Sequence, residues 1–245
     1  MSHTVNSNIT ISKRLTELPD QHIQRMAEIV VHYFPDQRLM EETLRNHLKQ
    51  AGTVRLAWRQ DRIVGFSVAT GYKMLTPFYP KPTNVIYQRM LYLDPEHLYR
   101  GLGLRLLSVT LKDLFGWLWP FKRLVCICRT QNPVVARIMD MYNVSYPQHQ
   151  QPVPQEVRKF GESLLPILGA DSLDEQCRLV GTLTAFAGRD YTEIWNRFLH
   201  RRNNKYEALM LNSAFKEENG RILNSGAFVL MIAYAKPLRF IRYLI

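Results

Sequence analysis

Apolar side chains recur at helical spacing from Pro19 to Phe34, where Ile23, Met26, Ala27, Val30 and Val31 share a face behind Asp20. The same period runs through Leu39, Thr43, Leu44, His47 and Leu48 to Gly52, so two helices are predicted at the start. The period then falls to two. Val54–Arg59, a turn at Gln60-Asp61 and Ile63–Ala69 predict a hairpin. Tyr72–Thr83 carries Pro77, Pro80 and Pro82 and predicts a loop. Val85–Leu93 predicts a strand, Gly103–Phe115 a helix, Arg123–Cys128 a strand, and Pro133–Tyr142 a helix with proline in its first turn. Pro147, Pro152 and Pro154 make the next stretch a linker. Residues 155 to about 204 read as mostly helical, with stripes at Phe160, Leu164, Leu165, Leu168 and at Ile194, Trp195, Phe198, Leu199. Tyr206–Leu211 and Gly226–Ala235 read as closing strands, and no internal repeat is visible.

This order predicts an α/β chain, α+β in flavour, with a central mixed sheet flanked by helices and a helical insertion before the last strands. The 245 residues are 46% hydrophobic and 22% charged, which supports a buried core and excludes a disordered chain. Three cysteines exclude a disulfide-scaffolded secreted domain. Cys126 and Cys128 lie two apart, so on a strand they share a face and do not pair with each other. The longest apolar run, Ala227–Ala235, has nine residues. A spanning helix needs about 20, so no membrane span is expected. The first eight residues are polar and lack a leader pattern, so a cytoplasmic location is expected. The net charge is +11, with +8 in residues 1–150 and +3 in residues 151–245. Such an excess favours an anionic partner: a phosphate-rich cofactor, a nucleic acid or an acidic surface.

The most informative segment is Leu91–Leu107. A strand ends at Leu93-Asp94-Pro95, and Gly101-Leu102-Gly103 opens an apolar helix. Glycine lets backbone N–H groups approach a ligand, and the amides and positive dipole end of a first helical turn favour phosphate. Arg100 and Arg105 add charge. The segment resembles the acyl-CoA-binding signature of the GNAT superfamily of N-acetyltransferases, in which a Val-x-Pro-like strand end runs into Arg/Gln-x-x-Gly-x-Gly/Ala. Pro95, Gly101, Gly103 and Leu106-Leu107 match it, while Leu98 stands where Arg or Gln is usual. A rival register moves Arg100 into that place but puts Arg105 where a small residue belongs. The resemblance extends from about Ile9 to Tyr146. It implies acetyl-CoA or another acyl-CoA as co-substrate, held by Leu93, Arg100, Gly101, Leu102, Gly103, Leu104 and Asn132. It also implies that residues 1–147 carry the acyl-CoA site, 148–205 are an insertion, and 206–245 close the same domain. A dinucleotide-binding alternative lacks the third glycine and the acidic residue after the following strand.

Thr130-Gln131-Asn132-Pro133 resembles the family's second contact, where an Asn touches the pantetheine arm through an amide that both donates and accepts. Asn132 reads equally well as an N-cap before Pro133. The family's usual general acid, a Tyr seven residues beyond that Asn, is Met139 here, and Tyr142 is the shifted candidate. Asn84–Leu93 holds no carboxylate, so the base is unassigned, with Glu41, Glu42, Glu96, His97 or a water chain as options. Cys126 and Cys128 read as buried strand residues, and no metal is expected, since no Cys/His cluster has ligand spacing. Met74, Phe78 and Tyr79 are candidate walls of an acceptor pocket. Arg197, Arg201 and Lys205 share a helical face suited to phosphates of RNA or the co-substrate, or form a solvated helix end. Lys236–Ile245 mixes cations with apolar residues, for which packing on the body is the simplest account. The resemblance implies an N-acyltransferase that passes an acetyl group from acetyl-CoA to an amine of a small molecule or protein by direct attack. A catalytically weakened acyl-CoA sensor or interaction module, and an RNA-directed acetyltransferase, are the alternatives. RNA and a homodimer stay open as partners.

Overall fold

The computed structural model describes residues 9–12, 17–34, 36–97, 101–140, 144–182, 184–199 and 204–235. These divide into two compact units, one drawn from residues 9–71 and 86–121, the other from 72–85 and 122–235.

In the first unit, strand β1 (Ile9–Ile11) is followed by helices α1 (Asp20–Val31) and α2 (Gln37–Lys49). Helix α1 buries Ile23, Met26, Ala27, Ile29 and Val30, and α2 buries Met40 and Leu44. Asp36 caps α2, its carboxylate accepting from Leu39 N at 3.1 Å. Strand β2 (Thr53–Arg59) pairs antiparallel with β1 and with β3 (Arg62–Thr76), and β4 (Tyr79–Leu93) lies beyond β3. Helix α3 (Leu102–Phe115) follows. Phe66 and Ser67 are consecutive on β3 and so point to opposite faces of the sheet. Phe66 reaches Tyr92, which packs on Tyr33 and Phe34 at the end of α1. Ser67 Oγ shares a 2.9 Å hydrogen bond with Thr110 Oγ1 of α3. The α1 end and α3 therefore cover opposite faces.

The second unit starts with residues 72–85, the tip of the β3–β4 hairpin. Strand β5 (Leu124–Thr130) neighbours β4, and Thr83 Oγ1 donates to Arg123 O at 3.2 Å. Then come α4 (Pro133–Asp140), β6 (Val144–Tyr146), α5 (Gln155–Ser163), α6 (Leu165–Leu168), β7 (Ser172–Leu173) and β8 (Arg178–Val180). Helices α7 (Thr192–Leu199) and α8 (Asn204–Ser213), the hairpin β9 (Phe215–Glu218) and β10 (Arg221–Asn224), and strand β11 (Phe228–Ala235) finish the described chain. Strand β11 is the axis of this unit. It pairs antiparallel with β5 from Val229↔Thr130 to Ala235↔Leu124, and on its other edge with β6 and β8. The sheet is mixed, as expected.

Several elements differ from the sequence reading, β6 and the β9–β10 hairpin among them. The expected loop at Tyr72–Thr83 is mostly strand, with only Pro77-Phe78 turning. Pro80 and Pro82 stand two apart, so both missing N–H groups lie along one edge of β4 and the other edge keeps all its donors. The expected strand Tyr206–Leu211 is part of helix α8; its run was too short to show a period, and Glu207, Ala208, Leu209 and Met210 are all strong helix formers. The helical insertion also contains β7 and β8, which extend the sheet beyond β11. Strand β1 precedes the two opening helices.

Candidate functional site

In the first unit, β4 ends at Leu93 and a short turn, Pro95–His97, follows. Helix α3 opens on Gly101, whose φ is +77°, a left-handed conformation that costs a side-chain-bearing residue strain. Glycine supplies no capping side chain, and among the described residues the amides of Leu102, Gly103 and Leu104 meet no cap acceptor, while Arg105 N bonds Gly101 O at 2.8 Å. A Cβ built on Gly101 would meet nothing within 4 Å, so the cradle is open on that side. Leu102 is buried with Leu106 against Ala57 and Val64, which fixes the first turn to the sheet. A Cβ on Gly103 would lie 3.9 Å from Leu93 Cδ1, so the strand end and the first turn of α3 lie side by side. Leu93, Gly101, Leu102, Gly103 and Leu104 are thus brought together. Arg100 lies outside the described residues, as does Leu98.

Distant residues hold this turn in place. Asp94, at the strand end, is buried and ion-paired with Arg25 of α1, whose Nε also donates to Ile63 O at 3.2 Å. Arg62 stands 3.5 Å from the same carboxylate. Asp94 also organises its own turn, accepting from Glu96 N at 3.2 Å. Tyr33 donates its hydroxyl to Leu93 O at 2.8 Å. Within β4, the buried Gln88 amide donates to Met90 O at 2.7 Å, Ser67 Oγ at 3.0 Å and Val68 O at 3.2 Å. Arg25, Tyr33 and Gln88 had no motif to mark them; only the fold brings the first two, 69 and 60 residues away, to their partners.

The candidate bases fare unequally. Glu41 is ion-paired with Arg45 at 2.9 Å, Arg45 also reaches Asp20, and Glu42 is solvent-exposed. His97 Nε2 faces Arg59 Nη1 at 3.1 Å. Asp94, Glu96 and His97 hold possible ligand atoms within 4.8 Å of one another. Arg25, Arg59 and Arg62 already surround this group with positive charge, so it reads as an ion-pair network that strengthens the strand end.

In the second unit, Asn132 lies between β5 and α4. Its Oδ1 accepts from Val134 N at 2.8 Å, and its own N–H donates to Thr130 Oγ1 at 2.9 Å. It therefore caps α4, while its side-chain N–H₂ retains two donors. The preceding Gln131 exchanges buried amide hydrogen bonds with Asn224 at 3.1 and 2.9 Å and donates to Ala227 O at 2.7 Å. Met139 is buried on α4, and Tyr142 lies outside the described residues. Burial pushes the Cys128 thiol well up and the Cys177 thiol up to about 12, so neither ionises near neutral pH. Phe78 stacks on Tyr234 at 4.6 Å, and Tyr79 donates to Ala235 O at 2.8 Å, so these two expected pocket walls are packed into an aromatic cluster. Lys205, in the basic run, is ion-paired with Asp140 at 2.9 Å. The side chain of Arg197, the residues His200–Asn203 and Lys236–Ile245 lie outside what is described. Among the described residues no helix is long and apolar enough to cross a membrane.

No family model matches the chain, and no curated protein matches it. Several solved structures resemble it in fold. A Pyrococcus horikoshii protein has a TM-score of 0.42 at 18% identity, covering 54% of this chain and 85% of its own. A GNAT-family acetyltransferase from Bacillus cereus scores 0.38 at 13% identity, covering 60% and 87%. An acetyltransferase from Thermus thermophilus scores 0.38 at 16%, covering 54% and 84%. Solved GNAT-family acetyltransferases are among the structures this chain is similar to.

Proposed function

We propose that the protein is an acyl-CoA-dependent N-acyltransferase that moves an acetyl or other acyl group from the thioester to an amine. The observation that carries this reading is the uncapped first turn of α3, opened by left-handed Gly101 beside the end of β4. An anionic diphosphate suits such a turn, because its amides point outward with the positive end of the helix dipole. In this reading the N–H groups of Leu102, Gly103 and Leu104 hold phosphate oxygens, with Arg100 adding charge. The Leu93 N–H steadies the thioester carbonyl oxygen as negative charge develops on it. The spare Asn132 donors serve the amide carbonyls of the pantetheine arm. Acyl-CoA supplies the activated acyl group, and the chain supplies position, from which most of the rate follows. Tyr142 is the proposed proton donor to the departing thiolate.

A second reading, an acyl-CoA-binding module with weakened catalysis, is favoured by one observation: Met139 is buried where the family's tyrosine acid is expected. Calorimetric titration with acetyl-CoA, and with CoA as a control, tests the shared core of both readings. Micromolar binding of acetyl-CoA is expected; absence of binding would sink both. Thiol release from acetyl-CoA in the presence of a panel of amines then separates enzyme from module.

A further inference from the structure

The connection from α3 to β5 holds its most apolar side chains in water. Trp117 is 74% exposed, Phe121 57% and Leu118 46%. This is not a slack loop. Gly116 ends α3 in a left-handed conformation, with its N–H on Lys112 O at 2.9 Å. Trp119 N then bonds Gly116 O at 3.1 Å, and Phe121 N bonds Leu118 O at 3.0 Å. Trp119, between the outward residues, is buried and pins the turn. The segment is built to display two aromatic rings and a leucine.

The surrounding charge has one sign. Lys112 is exposed in the last turn of α3. Lys49 is exposed at the end of α2, and three residues on a Cβ built on Gly52 would touch the Leu114 side chain of α3 at 3.4 Å. Lys122 and Arg123 follow Phe121 in the chain, and no carboxylate occurs from Leu114 to Met139. Asp113, the acid nearest in sequence, is ion-paired with Arg55.

We propose that this turn is a docking site for an anionic lipid surface. An aromatic side chain offers about 150–250 Å², so the three exposures together present on the order of 300–400 Å² of apolar area. A stable protein–protein interface buries about 800 Å² per partner, of which roughly 450 Å² is apolar, more than this patch offers. A bilayer asks for less area. Trp and Phe partition into the headgroup boundary, and lysines beside them gain from anionic headgroups. The inference is independent of the acyltransferase reading.

Co-sedimentation of the full chain with vesicles tests it. Binding to phosphatidylcholine vesicles containing phosphatidylserine is expected, weakened by salt and by omitting the phosphatidylserine. The double substitution Trp117→Ser/Phe121→Ser should reduce the partition coefficient about tenfold or more. Lys49→Glu/Lys112→Glu should reduce it only on anionic vesicles. All four positions are surface residues, so an unchanged melting temperature verifies folding. The proposal is overturned if the parent chain fails to sediment with anionic vesicles, or if the Trp117→Ser/Phe121→Ser variant binds them equally. It is overturned too by a dimer that the same pair of substitutions dissolves, since a second copy would then cover the patch.

Discussion

The turn after β4 and the turn after β5 look alike in sequence, since each follows a buried strand and opens a helix. They are built on opposite plans. At Gly101 the chain omits a capping side chain and leaves first-turn amides open, while rigidity comes from outside through Asp94, Arg25 and Tyr33. At Asn132 the chain caps its own helix with Oδ1, and the neighbouring Gln131 is consumed by Asn224. An open cradle has to be braced by remote elements, because its own polar groups are reserved. At the second turn the helix cap is local, and the remote tie runs through the neighbouring Gln131 to Asn224. The lesson is that a turn without its own cap draws its rigidity from remote elements.

The contrast breaks most sharply at Gly101. Gly101→Glu puts negative charge into the cradle, and affinity for CoA should fall about a hundredfold or more, read by calorimetry. Gly101→Ala has open space for its methyl group, so its cost is conformational, about 1 kcal/mol of stability. If Gly101→Glu binds CoA normally while folded, the cradle is not the phosphate site.

The brace comes next. Asp94→Ala leaves Arg25 without its buried partner and should cost about 3 kcal/mol in denaturant unfolding. Arg25→Met/Asp94→Leu should recover part of that loss, because no charge is stranded. A near-zero effect of Asp94→Ala would mean that the turn holds itself, and the comparison would fail.

At the self-satisfied turn the effects are smaller. Gln131→Ala strands the buried Asn224 amide and should cost about 2 kcal/mol. Asn132→Ala removes a cap worth about 1 kcal/mol. Asn132→Asp keeps the cap acceptor and removes the N–H₂ donors. Weaker CoA binding in both Asn132 variants would assign the donors to the ligand, whereas loss of stability in the Ala variant alone would leave a cap and nothing more.

The smallest effect lies on α4 itself. Burial alone would raise the Asp140 pKa, but hydrogen bonds from Lys205, Tyr206 and Ser145 outweigh it and bring it below the ordinary value. A depressed carboxyl contributes fully above its unfolded pKa, near 4, and loses that contribution as pH falls through the folded value. Asp140→Asn should therefore shallow the fall of melting temperature below about pH 4, with the parent chain as reference.

Legibility followed distance along the chain. Helices α1, α2 and α3 were readable because each repeats its apolar period over three turns or more. The β2–β3 hairpin was readable from its alternation. Helix α8 was not, since six residues of apolar run cannot distinguish the two periods. One local mark went unused. Asn219-Gly220 adopts positive φ at both residues, 52° and 73°, and joins β9 to β10 with Glu218 opposite Arg221. Asn-Gly is the strongest short-range hairpin signal, and it was present in the sequence.

The sequence by itself determined the periodic elements and the glycine turn, because both depend on residues within a few positions of one another. The resemblance to the GNAT signature, anchored at Pro95 and Pro133, implied the candidate roles of Leu93, Gly101–Leu104 and Asn132. Tertiary structure alone decided which side chains stay available. Lys205 was lost to Asp140 and Phe78 to the Tyr234 stack. It alone brought Arg25 to Asp94 and Gln131 to Asn224, across 69 and 93 residues. Hydrogen bonds and ion pairs act over a few ångströms of space, whatever the separation along the chain, and no local pattern encodes a partner that distant.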